Sequence, residues 1–334
     1  MSNIIAKHRA PRNRTLTCRE IERAAYASTL LRLKSPTLVE RIANSIIHQD
    51  FESVMPYLPD QFVDLLILDP PYNLTKNFNG HVFRAQEATQ YQSWFETALK
   101  GLMRVLKPEA SVYVCSDWQT STVIFPVLDR HLHVRNRITW EREKGRGAKK
   151  NWKNNTEDIW FCTGGDEYYF DVDSVKLKRR VIAQYRNSDG QPKDWQETEE
   201  GNYRLTHPSN LWSDITIPFW SMPENTDHPT QKPEKLIAKL ILASCPQDGF
   251  VLDPFMGSGT TPVVAKKLLR RFCGIEMNEE YCCWAAKRLQ LADRDSSIQG
   301  YSQGVFWERN SFGDQKLSKP SPLSPQQRKG LFDE

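Results

Sequence analysis

The sequence predicts an α/β fold with a mostly parallel sheet and helices on both faces. Three observations carry this expectation. In "VDLLILDPPY" the residues Val63, Leu65, Leu66, Ile67 and Leu68 form an apolar run without alternation, as in a strand buried on both faces. Proline cannot donate to a ladder, so the run ends at Asp69. In "VLDPFMGSGTTPVVAKKLL" a glycine turn joins a strand ending at Asp253 to a helix opening near Thr260. Strand-like and helix-like segments then alternate through residues 223–292.

Taken in order, residues 1–40 read as a basic arm, helix-compatible from Cys18 to Leu33, with eight Lys or Arg against three Glu. "RIANSIIHQDFESVMPYLPDQFVDLLILD" reads as strand, turn, short helix and strand, with His48 to Phe51 at the first strand's tip. "YQSWFETALKGLMRVLKP" carries Trp94, Phe95, Leu99, Leu102, Met103 and Leu106 at helical spacing, ended by Pro108. "SVYVC" is a further buried strand, and a basic loop follows between two strands. Residues 41–163 are therefore one half of the main domain, and the polar, irregular residues 164–222 an inserted module. Residues 223–292 hold an amphipathic helix "KPEKLIAKLILASC", strands "GFVLD" and "RFCGIE", and helices "TTPVVAKKLLR" and "NEEYCCWAAKRLQ". The Ser-, Gln- and Pro-rich residues 293–334 read as a flexible tail.

With 334 residues and a formal net charge of +4, the chain can bury a large core and is only mildly basic. Its seven cysteines show no Cys-x-x-Cys spacing, so neither a disulfide framework nor a zinc site is indicated. No apolar run reaches the roughly 20 residues of a membrane span, and no signal-peptide core is visible. A soluble, cytoplasmic protein without a membrane partner is expected.

The glycine turn points backbone N–H groups and a helix N-terminus at a ligand. It lacks the Lys-Ser/Thr pair of a phosphate-binding loop, and Pro262 occupies the place of a dinucleotide fingerprint's third glycine. Glu276, at the tip of the next strand, stands where an acid typically holds the two hydroxyls of an adenosine ribose. Together these predict an adenosine-containing cofactor that is not a dinucleotide.

"DPPY" upstream of "DPFMGSGTT", joined by "HPTQKPEKLIAKLI", resembles the amino-methyltransferases of DNA, in the circularly permuted β group where the catalytic motif precedes the cofactor motif. The resemblance covers residues 41–292. It implies a Rossmann-like S-adenosylmethionine-dependent methyltransferase fold, with S-adenosylmethionine as cofactor and residues 164–222 as target-recognition region. It places Asp253, Phe255, Gly257, Ser258, Gly259 and Thr260 around the cofactor and Glu276 on its ribose. His228, Thr230 and Lys232 fall near its methionine end, where a cation and a hydroxyl suit an α-carboxylate. Asp50 and Phe51 match the family's adenine contact.

The catalytic residues by this reading are Asp69, Pro70, Pro71 and Tyr72. An exocyclic base amine is a weak nucleophile because its lone pair is delocalised. The Asp69 carboxylate and the Pro70 carbonyl, fixed by Pro71, can accept both amino hydrogens and favour a pyramidal nitrogen, while Tyr72 offers a ring for stacking. The base must first be flipped from the duplex. No Pro-Cys dipeptide occurs, which disfavours carbon-5 chemistry, and "DPPYN" resembles adenine-N6 enzymes more than cytosine-N4 ones, many of which begin the motif with Ser.

For DNA contact the sequence offers Lys76 in the loop after Tyr72, whose position suggests closure over a flipped base. It also offers Arg142, Lys144, Arg146, Lys149 and Lys150 in the basic loop, as phosphate contacts. The expected partner is double-stranded DNA, with a second copy of the chain and a restriction endonuclease of the same site as further candidates. Cytosine-N4 transfer and a catalytically silent DNA-binding relative are the rival readings.

Overall fold

The computed structural model describes residues 10–142, 150–182, 184–198 and 201–309. The elements begin with α1 (Glu20–Ala27), α2 (Val39–Ile42), β1 (Ser45–His48), α3 (Phe51–Val54) and β2 (Val63–Leu68). A hairpin of β3 (Lys76–Phe78) and β4 (His81–Phe83) precedes α4 (Ala88–Met103), β5 (Leu106–Ser116), α5 (Trp118–His131), β6 (His133–Glu141) and β7 (Thr156–Thr163). Next come β8 (Leu177–Arg180), β9 (Gln196–Thr198), β10 (Gly201–Thr206) and β11 (Leu211–Trp212). The last are α6 (Glu234–Ser244), β12 (Phe250–Asp253), α7 (Thr260–Lys267), β13 (Arg271–Glu276), α8 (Glu279–Ala292), β14 (Tyr301–Ser302) and β15 (Val305–Trp307).

Strand β2 is buried on both faces, as its composition predicts. Leu66 and Leu68 join one core cluster with α4 and α5, while Leu65 and Ile67 join another with α6 and α7. The main sheet has the order β1-β13-β12-β2-β5-β7-β6-β11. Strands β1, β13, β12, β2 and β5 are mutually parallel, and β7 runs antiparallel to both β5 and β6. The parallel strands therefore end on one edge, and the start of β7 is carried to that edge too.

Several expectations are corrected. Helix α4 stops at Met103, and Leu106 and Pro108 already belong to β5. Helix α6 keeps its amphipathic pattern but has no solvent face: all its residues are buried, because it packs between the main sheet and a second, five-stranded sheet of order β14-β15-β8-β10-β9. Its charged residues are buried in pairs. Lys239 Nζ lies 2.8 Å from both Asp214 oxygens, and Glu234 meets Lys267 at 2.7 Å and Arg288 at 3.1 Å.

The residues up to 309 are no tail either, since β15 pairs with β8 and buries Phe306 and Trp307; residues 310–334 lie outside the described residues. The arm's helix is shorter than Cys18–Leu33, and α1 packs on α8 through Lys287–Glu22 and Tyr26–Gln290 contacts of 3.0 and 2.6 Å. The seven cysteines are free thiols. Among the described residues no helix is long and apolar enough to cross a membrane, and no cluster of His, Cys, Asp or Glu could hold a metal ion.

Candidate active site

The carboxyl edge of the parallel strands gathers Asp50 after β1, Glu276 at the end of β13, Asp253 at the end of β12 and Asp69 just beyond β2. This is the crevice where open α/β sheets hold ligands. A cavity of about 380 Å³ opens there, a size that suits a small-molecule ligand. Asp50, Phe51, Asp69, Pro70, Pro71, Tyr72, Lys76, His228, Thr230, Phe255, Gly257 and Glu276 all line it.

At one end, Asp50 caps α3 by accepting from Ser53 N at 3.2 Å, which sets Phe51 against Phe255 with ring centroids 5.0 Å apart. Glu276 accepts from Asn278 N at 2.7 Å and from Gly257 N at 3.1 Å. Burial nevertheless pushes its carboxyl up to about 7, against the pull of these backbone donors. Asp253 is likewise pushed up to about 7 by burial, although Phe255 N donates to it at 3.0 Å.

At the other end, Lys232 Nζ donates to Asp69 Oδ1 at 2.7 Å and Oδ2 at 2.6 Å. The Tyr72 hydroxyl lies 3.1 Å from Asp69 Oδ1 and 3.2 Å from Glu157 Oε2, and it accepts from Lys232 Nζ at 3.2 Å. Burial raises the Asp69 carboxyl, Lys232 opposes that, and Glu157 adds to it. Burial would lower the Lys232 ammonium, but Asp69 and Glu157 together raise it well above the usual lysine range. Burial also lowers His228, to about 3, with Lys232 and Lys76 contributing, so its ring is neutral.

The glycine turn follows the sequence reading in part. Gly257 lines the cavity, as a close approach of ligand to backbone requires, while a Cβ on Gly259 would collide with Ala285 of α8, so that glycine is also required by the packing of the protein. Asp253, Ser258 and Thr260 lie behind the main cavity, around an adjoining pocket of about 30 Å³ that also touches Lys232. Thr260 Oγ1 donates to Lys232 O at 3.0 Å, which steadies the lysine's backbone. The buried Ser258 Oγ has no hydrogen-bond partner among the described residues. An acceptor at the sheet edge, an aromatic pair and an orphaned hydroxyl fit a nucleoside joined to a polar tail.

Where the resemblance puts the Lys232 cation on a cofactor carboxylate, the structure has it on Asp69. Arg142 turns inward to pair with Glu157. Lys150 is exposed, whereas Lys144, Arg146 and Lys149 lie outside the described residues. The loop after Tyr72 forms the β3–β4 hairpin, whose Phe78 faces His228 at 6.3 Å and whose Asn79 donates to Glu280 at 2.6 Å. Trp195 and Trp212 are buried, while Trp220 is 49% exposed. Glu157 and Tyr281 are absent from the sequence reading. The acid in the apolar strand "TEDIWFCT" was the signal for Glu157; Tyr281, edge-on to His228 at 4.5 Å, left none.

The family described as DNA methylase matches residues 63–287. The chain is 33% identical over 269 residues to the DNA adenine methyltransferase YhdJ of Escherichia coli (strain K12), across 78% of this chain and 88% of that protein. It is 31% identical over 247 residues to the Type II methyltransferase M.HpaI of Haemophilus parainfluenzae, across 73% and 72%. Among solved structures, the cytosine-N4-specific PvuII DNA methyltransferase shares the fold with a TM-score of 0.54 at 20% identity, over 73% of this chain and 85% of that one. With its two motifs on one sheet edge and this kinship over most of its length, the chain belongs to the DNA amino-methyltransferases, the adenine-N6 and cytosine-N4 family whose cofactor is S-adenosylmethionine.

Proposed function

We propose that the chain methylates adenine N6 at a specific site in double-stranded DNA, by direct displacement on a flipped-out base. The observation that carries this reading is the Asp69 carboxylate, set at the cavity wall beside Pro70 and Tyr72 by the end of β2. Glu276 holds the ribose hydroxyls, and Phe51 and Phe255 cover the adenine. His228, Thr230 and the Ser258 hydroxyl face the methionine end. Bound S-adenosylmethionine supplies an electrophilic methyl group.

Asp69 and the Pro70 carbonyl accept the two amino hydrogens of the target base, which aims the nitrogen lone pair into the cavity. The same carboxylate then stabilises the positive charge that develops on the amine. Tyr72, its hydroxyl anchored by Asp69, Glu157 and Lys232, presents its ring to the base. Residues 164–222 read the site, the hairpin carrying Lys76 closes over the flipped base, and the basic loop, apart from the inward-turned Arg142, contacts the phosphates. The 33% identity to an adenine methyltransferase supports adenine over cytosine. A cytoplasmic setting, a homodimer and a restriction endonuclease of the same site complete the proposal.

The test is to incubate the protein with unmethylated genomic DNA and labelled cofactor, digest to nucleosides and identify the product by mass. N6-methyladenosine that disappears in Asp69→Ala establishes the reaction. N4-methylcytidine instead would replace adenine by cytosine, and an unlabelled digest would overturn the substrate.

A further inference from the structure

The Asp69 carboxylate that the proposed reaction needs is occupied. Both oxygens accept from Lys232, a buried lysine with 6% side-chain exposure, and a carboxylate neutralised in this way is poorly suited to stabilise a second cation. Moving the ammonium out to water would leave it no protein partner. Glu157 offers another place. Its side chain is 3% exposed, and its Oε2 lies 3.4 Å from Lys232 Nζ. The Tyr72 hydroxyl touches both carboxylates and the ammonium, so it bridges the two positions.

This closeness follows from topology. Strand β7 runs antiparallel to β5, so its first residues reach the edge where β2 ends, and Glu157 pairs in register with Trp140 of β6. Arg142, just past β6, holds Glu157 Oε1 and thereby keeps Oε2 turned toward Lys232.

We propose that Glu157 is a positioning residue, the second seat of Lys232. When the target amine enters, the ammonium shifts from Asp69 to Glu157 Oε2, and Asp69 is left ionised with open lone pairs. Closing 3.4 Å to an ordinary charged hydrogen bond begins the shift with a movement of less than about 1 Å, and lengthening both Asp69 contacts beyond hydrogen-bond reach completes it. No proton is transferred and no bond is broken, and the two acids and two bases keep their total charge. The proposal rests on the methyltransferase reading and adds to it a way to unmask the catalytic acid only when a base is present.

The experiment compares wild type, Glu157→Gln and Glu157→Asp for kcat on DNA across pH, and for affinity to S-adenosylhomocysteine by calorimetry. The groups facing Asp69 are Lys232, Tyr72 and Glu157, with Tyr91 of α4, Cys115 of β5 and Asp253 of β12 behind them. In Glu157→Gln the ammonium stays on Asp69. The expected results are a kcat at least tenfold lower, an acid limb moved to lower pH, and an affinity unchanged within twofold. Glu157→Asp recovers part of the rate.

A Glu157→Gln enzyme with wild-type kcat, an unmoved acid limb, or affinity lost in step with kcat overturns the proposal. Absence of DNA methylation by the wild type would instead remove the reading beneath it.

Discussion

A Cβ placed on Gly257 would lie 2.8 Å from His228 Nε2 and 2.9 Å from its Cε1. The turn and the imidazole are thus fitted to each other, and the backbone there is in the left-handed region, with φ of 53° at Gly257 and 79° at Gly259. The two glycines are expected to fail differently. Gly257→Ala displaces the His228 ring into the cavity and weakens cofactor binding about tenfold or more. Gly259→Ala pushes α7 against Ala285 and acts on stability, by about 1–3 kcal/mol. Calorimetric titration and thermal melts of both variants separate the effects; equal losses in both assays would refute the assignment.

Cofactor affinity should rise with pH through neutrality. The Glu276 carboxyl is pushed up to about 7, and only its ionised form accepts from both ribose hydroxyls. The stability slope has the opposite sign. A carboxyl whose folded value exceeds its unfolded value of about 4.5 adds stability that is complete below that value and lost as pH rises through about 7. Asp253 acts in the same direction. Titration with S-adenosylhomocysteine between pH 6 and 8 should show the rise in wild type and a flat line in Glu276→Gln.

Removing the cation beside Asp69 should cost stability, and should cost rate at pH values below the displaced acid limb. Lys232→Met leaves two buried carboxylates sharing the Tyr72 hydroxyl, a broken pair of the kind that costs about 3–5 kcal/mol. The Asp69 carboxyl, already raised by burial, loses the main influence lowering it, so the acid limb of the rate profile moves to higher pH. Denaturant unfolding and a pH–rate series check this, and a limb that moves the other way would contradict it.

The β3–β4 hairpin is fastened to α8 by Asn79 and Glu280. Because Phe78 and Val82 line the cavity, the fastening should set how fast a ligand leaves. Glu280→Ala is expected to raise the cofactor dissociation rate two- to fivefold in stopped-flow displacement, with little change in melting temperature because the bond is exposed.

The positions of Asp69 and Glu276 at the sheet edge were legible in the sequence because strand ends are local signals, readable within a dozen residues, whereas Phe51 and Phe255 came only with the resemblance. Partnerships across the sheet were not. Tyr72 and Glu157 are 85 positions apart and Lys232 and Asp69 are 163 apart, so only the strand order brings them together. Helix α6 misled for a related reason. Its charged residues imply a solvent face, but the second sheet covers that face, and Asp214, just after β11, supplies a partner. The strands at 301–307 were hidden within a polar stretch whose composition resembles a tail.

Strand β15 has a consequence for the order in which the molecule can be made. It follows α8 in the chain, yet it lies parallel to β8, which was synthesised well over a hundred residues earlier. As the chain leaves the ribosome, every strand and helix of the transfer scaffold is present while the second sheet still waits for its last two strands, and with them the Phe306 side chain that completes the core around α6. A nascent chain arrested after α8 would carry the cavity's lining residues and an open sheet edge beside β8, a ready template for pairing with another chain.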